Sequence, residues 1–363
     1  MKYNENELTL LWIDSFLTLS YVEKQFIYGL INGKSEIKKV LEQNKLALID
    51  RLTEEKALFI INSATKEYFE RVIKELDELG IKAVTVVSKE YPVSLLQTEE
   101  PPLVLYAKGN LELLKEKCFG IVGSRKSLPI AISLTKEYAT TLQKVGFTLV
   151  TGIAEGVDKA VIDSVIDSGK IISVIAGGFK NIYPKSHTKL FEKICEKGLA
   201  ISEQPPSFVP MRFSFPVRNR IIAGLSEGVL IASGSAKSGT KYTAVYAEEY
   251  GKDVFAIPYS VGISSGEICN ELIKSGAFLT DTPKDILDRY NLGYEQEEIS
   301  LTDKEKQIVE ILKGGSAHVN AVMKGTGLSV SETTTILSSL IIKGVVTNGG
   351  ANVYGLARKI TED

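Results

Sequence analysis

From residue 118 to about residue 289 the chain alternates short apolar runs with amphipathic helical stretches, and no other feature constrains its fold as much. Candidate strands lie at 119–122, 147–151, 171–176, 199–202, 229–232, 254–257 and 277–279. The helical stretches close on Gly146, Gly169, Gly198, Gly251 and Gly276, in the manner of C-cap glycines. Strands that are apolar throughout, each followed by a helix, predict an α/β fold with a parallel, doubly wound sheet. Ligands of such a sheet bind at the carboxyl ends of its strands.

The loops expected at that edge are GSRKS after the first strand, GIAEGVD at 152–158, GGFKNIYP at 177–184, SEQPP at 202–206 and SGSAKSGT at 233–240. Nearly all are rich in Gly and Ser, which favours a phosphate or nucleotide site where they converge. In FGIVGSRKSLP, 119–129, Gly123 and Ser124 end a strand just before a helical pattern at 130–145. Free backbone N–H groups are expected there as an anion nest, to which Arg125 adds a forked cation. An ordinary strand-to-helix turn with an exposed arginine is the plainer alternative.

Several chemistries are disfavoured by what is missing. A dinucleotide fingerprint requires GxGxxG after the first strand and an acid ending the second, whereas the first turn has one Gly and the second strand ends at Thr151-Gly152. Lys237-Ser238-Gly239-Thr240 resembles a Walker A loop in composition only. The chain has 2 His, and both His187 and His318 read as surface residues. Asp158 reads as the N-cap of the helix it begins, and Glu203 as a carboxylate able to orient an arginine.

The segment PMRFSFPVRNRIIAGLS, 210–226, places Arg212, Arg218 and Arg220 among Phe213 and Phe215 ahead of an apolar helix. Cations beside aromatic faces suit single-stranded nucleic acid, whose phosphates take the charges and whose unstacked bases take the rings. The alternative makes the Phe residues core and the Arg residues partners of carboxylates such as Glu203. A division is expected, with Asn219 and one Arg holding the loop while Arg212 and Phe215 face the ligand.

Flanking this region, residues 1–80 carry helical apolar spacing and predict a small helical domain. Pro92, Pro101 and Pro102 forbid a helix over 88–110, which reads as a connector with one or two edge strands. The α/β domain is placed at 81–290 and a linker, acidic at 295–298, at 291–300. Residues 301–363 are read as a winged helix, with helices at 302–312, 317–324 and 330–343 and a two-stranded wing around Asn348-Gly349-Gly350. The third helix has Lys343 as its one basic residue and Glu332 near its start, which favours protein contact or weak DNA binding over sequence reading.

The charge is nearly balanced, 43 Lys+Arg against 45 Asp+Glu, so an anion site must be a local cluster. The 3 Cys show no CxxC spacing, which argues against a zinc site or disulfide framework and for a reducing compartment. No apolar run approaches the ~20 residues of a membrane span, and the acidic, amphipathic first residues are unlike a signal peptide, so a soluble, cytoplasmic protein is expected.

The run FGIVGSR, TGIAEGVD, GGFKNIYP, ISEQPP, FPVRNRIIAGLS, KSGTKYTA and AEEYGKDVFAIP, in that order, resembles the DprA/Smf family of DNA-processing proteins over about residues 88–280. The helical N-terminal (SAM-like) and C-terminal winged-helix domains match that family in outline. The resemblance implies a Rossmann-like domain that binds single-stranded DNA, protects incoming strands during natural transformation and helps load the RecA recombinase. It implies a homodimer, no cofactor, no membrane association and no enzymatic activity. By motif match, Gly123, Ser124 and Arg125 become the phosphate-binding turn, Arg212 and Phe215 the basic and base-stacking residues, and Lys185 a further phosphate contact. Gly152, Arg218, Asn219, Arg220, Lys237, Ser238, Gly239 and Thr240 complete the implied site. The family's usual SGSLITA is SGTKYTA here, and the acidic stretch common after the fifth strand is Ala232-Ser233-Gly234. The rival reading is a nucleoside-monophosphate phosphoribohydrolase of the lysine-decarboxylase-like type, but its PGGxGTxxE hallmark would put Thr243 where Glu is required.

Overall fold

The computed structural model describes residues 3–34, 36–293 and 301–356. The acidic linker at 295–298 and the end of the expected winged helix, 357–363, lie outside the described residues. The chain divides into two compact units, Met1–Tyr294 and Glu295–Asp363.

In the first unit, helices α1 (Glu5–Asp14), α2 (Tyr21–Ile31), α3 (Ile37–Gln43), α4 (Lys45–Arg51), α5 (Glu54–Ser63) and α6 (Lys66–Leu79) precede the sheet. Asn4 with Glu7, and Ser20 with Glu23, form capping boxes that start α1 and α2. Trp12 anchors their core, stacked on Phe69 at 5.6 Å and donating from Nε1 to the Ser63 carbonyl at 3.2 Å. The helices are also bonded to the sheet. Buried Asp14 accepts from Tyr106 Oη and Lys24 Nζ, each at 2.8 Å, and Tyr3 Oη accepts from the Ala83 N–H at 3.1 Å.

The nine-stranded sheet comprises β1 (Lys82–Thr85), β2 (Val104–Gly109), β3 (Cys118–Val122), β4 (Thr148–Thr151), β5 (Ile171–Val174), β6 (Leu199–Ser202), β7 (Gly228–Ile231), β8 (Asp253–Ala256) and β9 (Phe278–Leu279). Its order is β1-β2-β6-β5-β4-β3-β7-β8-β9. Neighbours from β6 to β9 run parallel, as the apolar runs imply, while β2 pairs antiparallel with both β1 and β6. Thus β2 is no edge strand, and only β1 closes that side. A one-turn helix, α7 (Val93–Leu96), occurs where the prolines were expected to forbid one, because Pro92 stands at its N-cap and costs it no hydrogen bond.

The crossover helices are α8 (Pro129–Lys144), α9 (Val157–Val165), α10 (Thr188–Lys197), α11 (Ser214–Leu225), α12 (Thr240–Glu249) and α13 (Glu267–Lys274), followed by α14 (Pro283–Arg289). Of the glycines expected to close them, Gly146, Gly169, Gly251 and Gly276 have positive φ, but Gly198 does not (φ −125°). A Cβ at Gly198 would lie 2.7 Å from the Ile171 carbonyl, so proximity to a neighbouring backbone excludes a side chain there. Strand β3 has β4 on one side and β7 on the other, so the chain changes direction across the sheet between β3 and β7. The loops leaving those two strands diverge and open a crevice.

The second unit contains α15 (Asp303–Lys313), α16 (Val319–Thr326) and α17 (Val330–Ile342) with a three-stranded sheet, β10 (Ala317–His318), β11 (Val346–Gly350) and β12 (Val353–Leu356). Residues 317–318 pair with β12 rather than starting the second helix. Buried Glu305 caps α15 through Thr302 and accepts from Ser339 Oγ at 2.9 Å and Lys343 Nζ at 2.8 Å. Burial pushes its carboxyl up, but the hydrogen bonds from Lys343, Thr302 and Ser339 prevail and hold it at about 2. A depressed folded value means stability that is present above the unfolded carboxyl range and lost as pH falls toward the folded value. Acid titration followed by circular dichroism should show this unit weakening as pH falls from about 5 toward 2, and Glu305→Gln should remove that part of the slope.

Candidate functional site

At the β3/β7 crevice lies a cavity of about 540 Å³ lined by the loops after β3, β4 and β7, the start of α11 and residues 264–265. Gly123 lets these loops meet, since a Cβ there would lie 2.5 Å from Val157 Cγ2 and 3.0 Å from Ser233 Oγ. The Ser124 N–H donates to Ser233 Oγ at 3.1 Å, and Ser127 Oγ lies 2.7 Å from the same oxygen. The Lys126 N–H is likewise taken by Ser124 Oγ at 3.1 Å. Two of the amides expected in a nest at this turn, those of Ser124 and Lys126, are therefore taken by serine side chains, and α8 begins only at Pro129.

What the turn does present is Arg125. Its guanidinium carbon stands 5.0 Å from the Phe215 ring centroid and 6.0 Å from that of Tyr183, and the two rings meet edge to face at 5.6 Å. Arg125 and Tyr183 are exposed and Phe215 is half-buried. A cation over an aromatic face is held in place without losing its charge to a carboxylate.

Behind this group is a buried charge pair. A Cβ at Gly152 would lie 2.3 Å from Asp158 Oδ2 and 2.6 Å from both terminal nitrogens of Arg218, so only glycine leaves room for them. Asp158 Oδ2 accepts from the Ala154 N–H at 3.1 Å. Arg218 donates to the Val174 carbonyl and, through Nε, to Asn219 Oδ1 at 3.2 Å, while Asn219 Nδ2 reaches the Gly239 carbonyl at 3.2 Å. Burial raises the Asp158 carboxyl and Arg218 partly offsets this; burial lowers Arg218 and Asp158 partly offsets that. Each ion compensates the other's desolvation. Asp158 is thus not the N-cap of α9, a position held by Gly156, but the counter-ion of Arg218.

The profile of the family described as DNA recombination-mediator protein A matches residues 82–291, which include every residue lining this cavity. The chain belongs to that family. It is 38% identical over 222 residues to the DNA processing protein DprA of Bacillus subtilis, covering 60% of this chain and 74% of that one. The crystal structure of DNA processing protein A from Streptococcus pneumoniae superposes with a TM-score of 0.68 at 29% identity, over 81% of this chain and all (100%) of that one. The Helicobacter pylori DNA processing protein A, whose structure concerns its single-stranded DNA binding mode, superposes with a TM-score of 0.54 at 28% identity, over 58% of this chain and 95% of that one.

Within this recombination-mediator fold, the residues singled out from sequence fall into three groups. Gly123, Ser124, Arg125, Phe215, Arg218, Asn219, Ser238, Gly239 and Thr240 line the cavity, with Gly152 behind the charge pair. Lys185, Arg212 and Lys237 are exposed on segments that adjoin Tyr183, α11 and Ser238, without lining it. Arg220 points elsewhere, donating to the Glu100 carbonyl at 2.7 Å and paired with Glu203. The expected division of arginines therefore differs in number, since both Arg218 and Arg220 hold structure. His187 is not a surface residue: it is 4% exposed, with Nδ1 2.7 Å from the Ile153 carbonyl and Nε2 2.7 Å from Glu155 Oε1. Sequence reasoning assigned no role to Tyr183, Lys126 or Ser265, and met Thr243 only as the position where the rival enzyme's Glu is missing. Tyr183 was legible as an aromatic beside Lys185, and Ser265 as part of Gly262-Ile263-Ser264-Ser265-Gly266, a further loop bearing Gly and Ser that follows β8.

Proposed function

We propose that this chain binds single-stranded DNA across the β3/β7 cavity, with phosphates on Arg125, Lys126, Arg212, Lys185 and Lys237 and bases on Phe215 and Tyr183. The observation that carries this reading is the Arg125 guanidinium seated against the Phe215 and Tyr183 rings, a cation and two aromatic faces offered together at a cavity mouth. Single strands expose both partners such a surface requires, whereas a duplex hides its base faces. The family, and the strand-binding mode described for the Helicobacter pylori relative, support it.

On this reading the protein is a non-enzymatic, cytoplasmic DNA-processing protein of transformation and recombination. It protects incoming strands and helps load RecA recombinase, acting as a homodimer. Residues 5–79 serve as a SAM-like helical domain and 301–356 as a winged helix that contacts protein. The last assignment is supported by charge: Lys343 is engaged by Glu305 at 2.8 Å and Lys304 by Glu332 at 2.9 Å, leaving α17 poor in cations for phosphates.

Titration of labelled oligo-dT at several salt concentrations tests the strand reading. Arg125→Ala is expected to weaken binding and flatten the log–log salt slope by about 0.7, the single-strand value for one phosphate contact. Unchanged affinity and slope in a folded variant would remove Arg125 from the interface.

A further inference from the structure

Helix α6 reaches the loops that carry the strand site. Glu75, on that helix, accepts from Lys180 Nζ at 2.6 Å and from Ser207 Oγ at 3.0 Å, both on Oε1. Lys180 belongs to the loop that leads to Tyr183 and Lys185, and Ser207 to the loop that leads to Arg212 and Phe215. A single carboxylate oxygen therefore joins the two segments that supply the rings.

The two loops are also paired with each other. The Gly178 N–H donates to the Phe208 carbonyl at 2.9 Å, the Lys180 N–H to the Pro206 carbonyl at 3.0 Å and Asn181 Nδ2 to the Ser207 carbonyl at 2.9 Å. They approach so closely that a Cβ at Gly178 would lie 2.1 Å from the Pro205 carbonyl oxygen. Loops bonded in this way move together, and whatever fixes one fixes both rings. Glu75 is a firm post for them, because α6 is itself tied to the sheet: Lys108 Nζ, on β2, donates to the Leu79 carbonyl at 2.8 Å. The side chains of Glu75 and Lys180 are 32% and 45% exposed, so their pair adds little to global stability. Its consequence is where the loops stand.

We propose that Glu75 is a positioning residue for strand binding: it anchors the paired loops 177–184 and 205–213 to α6, which keeps Tyr183, Arg212 and Phe215 in place for a strand, while Lys180 is engaged by the anchor and is not a phosphate contact. The helical segment thereby contributes to the site although none of its described residues lines the cavity. The effect on affinity rests on the strand-binding reading, whereas the anchoring of the loops does not.

Two measurements on the full chain test this: titration of labelled oligo-dT at several salt concentrations, and hydrogen exchange of the Gly178 and Lys180 amides followed by mass spectrometry. Glu75→Ala is expected to weaken oligo-dT binding about two- to fivefold, the range of one half-exposed ion pair, with the salt slope and thermal midpoint little changed. Exchange of the two amides should become faster, because the loops lose their post. A carboxylate acting through its charge alone would give the opposite sign, since removing it beside a phosphate-binding surface tightens binding. Glu75→Gln keeps an acceptor for both donors and should lose less than Glu75→Ala. Lys180→Met should behave as Glu75→Ala does, without the flattening of about 0.7 that loss of a single-strand phosphate contact brings. Unchanged or tighter binding by folded Glu75→Ala would overturn the proposal, as would unchanged exchange, or a flattened slope in Lys180→Met. Faster exchange in Glu75→Ala, beside a wild-type chain that does not bind oligo-dT, would remove the strand reading and leave the anchor standing.

Discussion

Arg218→Ala is expected to lower stability by about 3–5 kcal/mol, the cost of leaving a buried carboxylate without its cation. Arg218 is 8% exposed, donates to the Val174 carbonyl and offsets the burial of Asp158, which is 6% exposed. The loss should carry a pH signature. A carboxyl whose folded pKa is raised binds its proton more tightly folded than unfolded, so stability falls as pH rises from the unfolded value through the raised one. Removing Arg218 raises Asp158 further and widens that window. Urea denaturation at about pH 4.5 and pH 7.5 should therefore show a smaller deficit in acid, and Asp158→Asn added to Arg218→Ala should recover part of the neutral-pH loss. An equal deficit at both pH values would mean that the two groups are not each other's counter-ions.

The second large effect concerns binding. Phe215→Ala is expected to weaken oligo-dT binding by about 1–3 kcal/mol with little change in salt slope, because stacking involves no counter-ion release. Since Arg125 rests against the Phe215 ring at 5.0 Å, Phe215→Ala also removes the surface that orients the cation. The double variant Arg125→Ala/Phe215→Ala should thus lose less than the sum of the two singles. If the loss on Phe215→Ala instead followed a fall in thermal midpoint, the ring would belong to the core and not to the interface.

The architecture was legible in the chain because its cause is local. Apolar runs over 118–122, 148–151, 171–174, 199–202, 228–231 and 253–256 can be buried on both faces only in a covered parallel sheet, and helices between them can return only across its faces. The same logic located the carboxyl-edge loops and, within them, Arg125, while Phe215 was singled out by the mixture of Arg and Phe over 210–226 and lies in the first turn of α11. Such logic did less well with side chains whose roles depend on distant partners. His187 and Asp158 look in sequence like surface or capping residues, and Arg218 like a phosphate contact or the partner of a carboxylate such as Glu203, whereas His187 and Arg218 are held by the Ile153 and Val174 carbonyls on other segments.

By itself, then, the sequence determined the alternation of strand and helix, the loops that gather at one edge, and the family whose motifs those loops carry. Only the tertiary structure decided that the Ser124 amide is consumed by Ser233, and that Arg218 and Arg220 leave Arg125 as the cation on the rings. The physical reason is that periodicity reports which face of an element is buried, a property of neighbours within a few residues. The partner of a polar group is instead set by chain crossings: residues 124 and 233, or 158 and 218, become neighbours only when β3 and β7 pair and α9 and α11 cover the sheet.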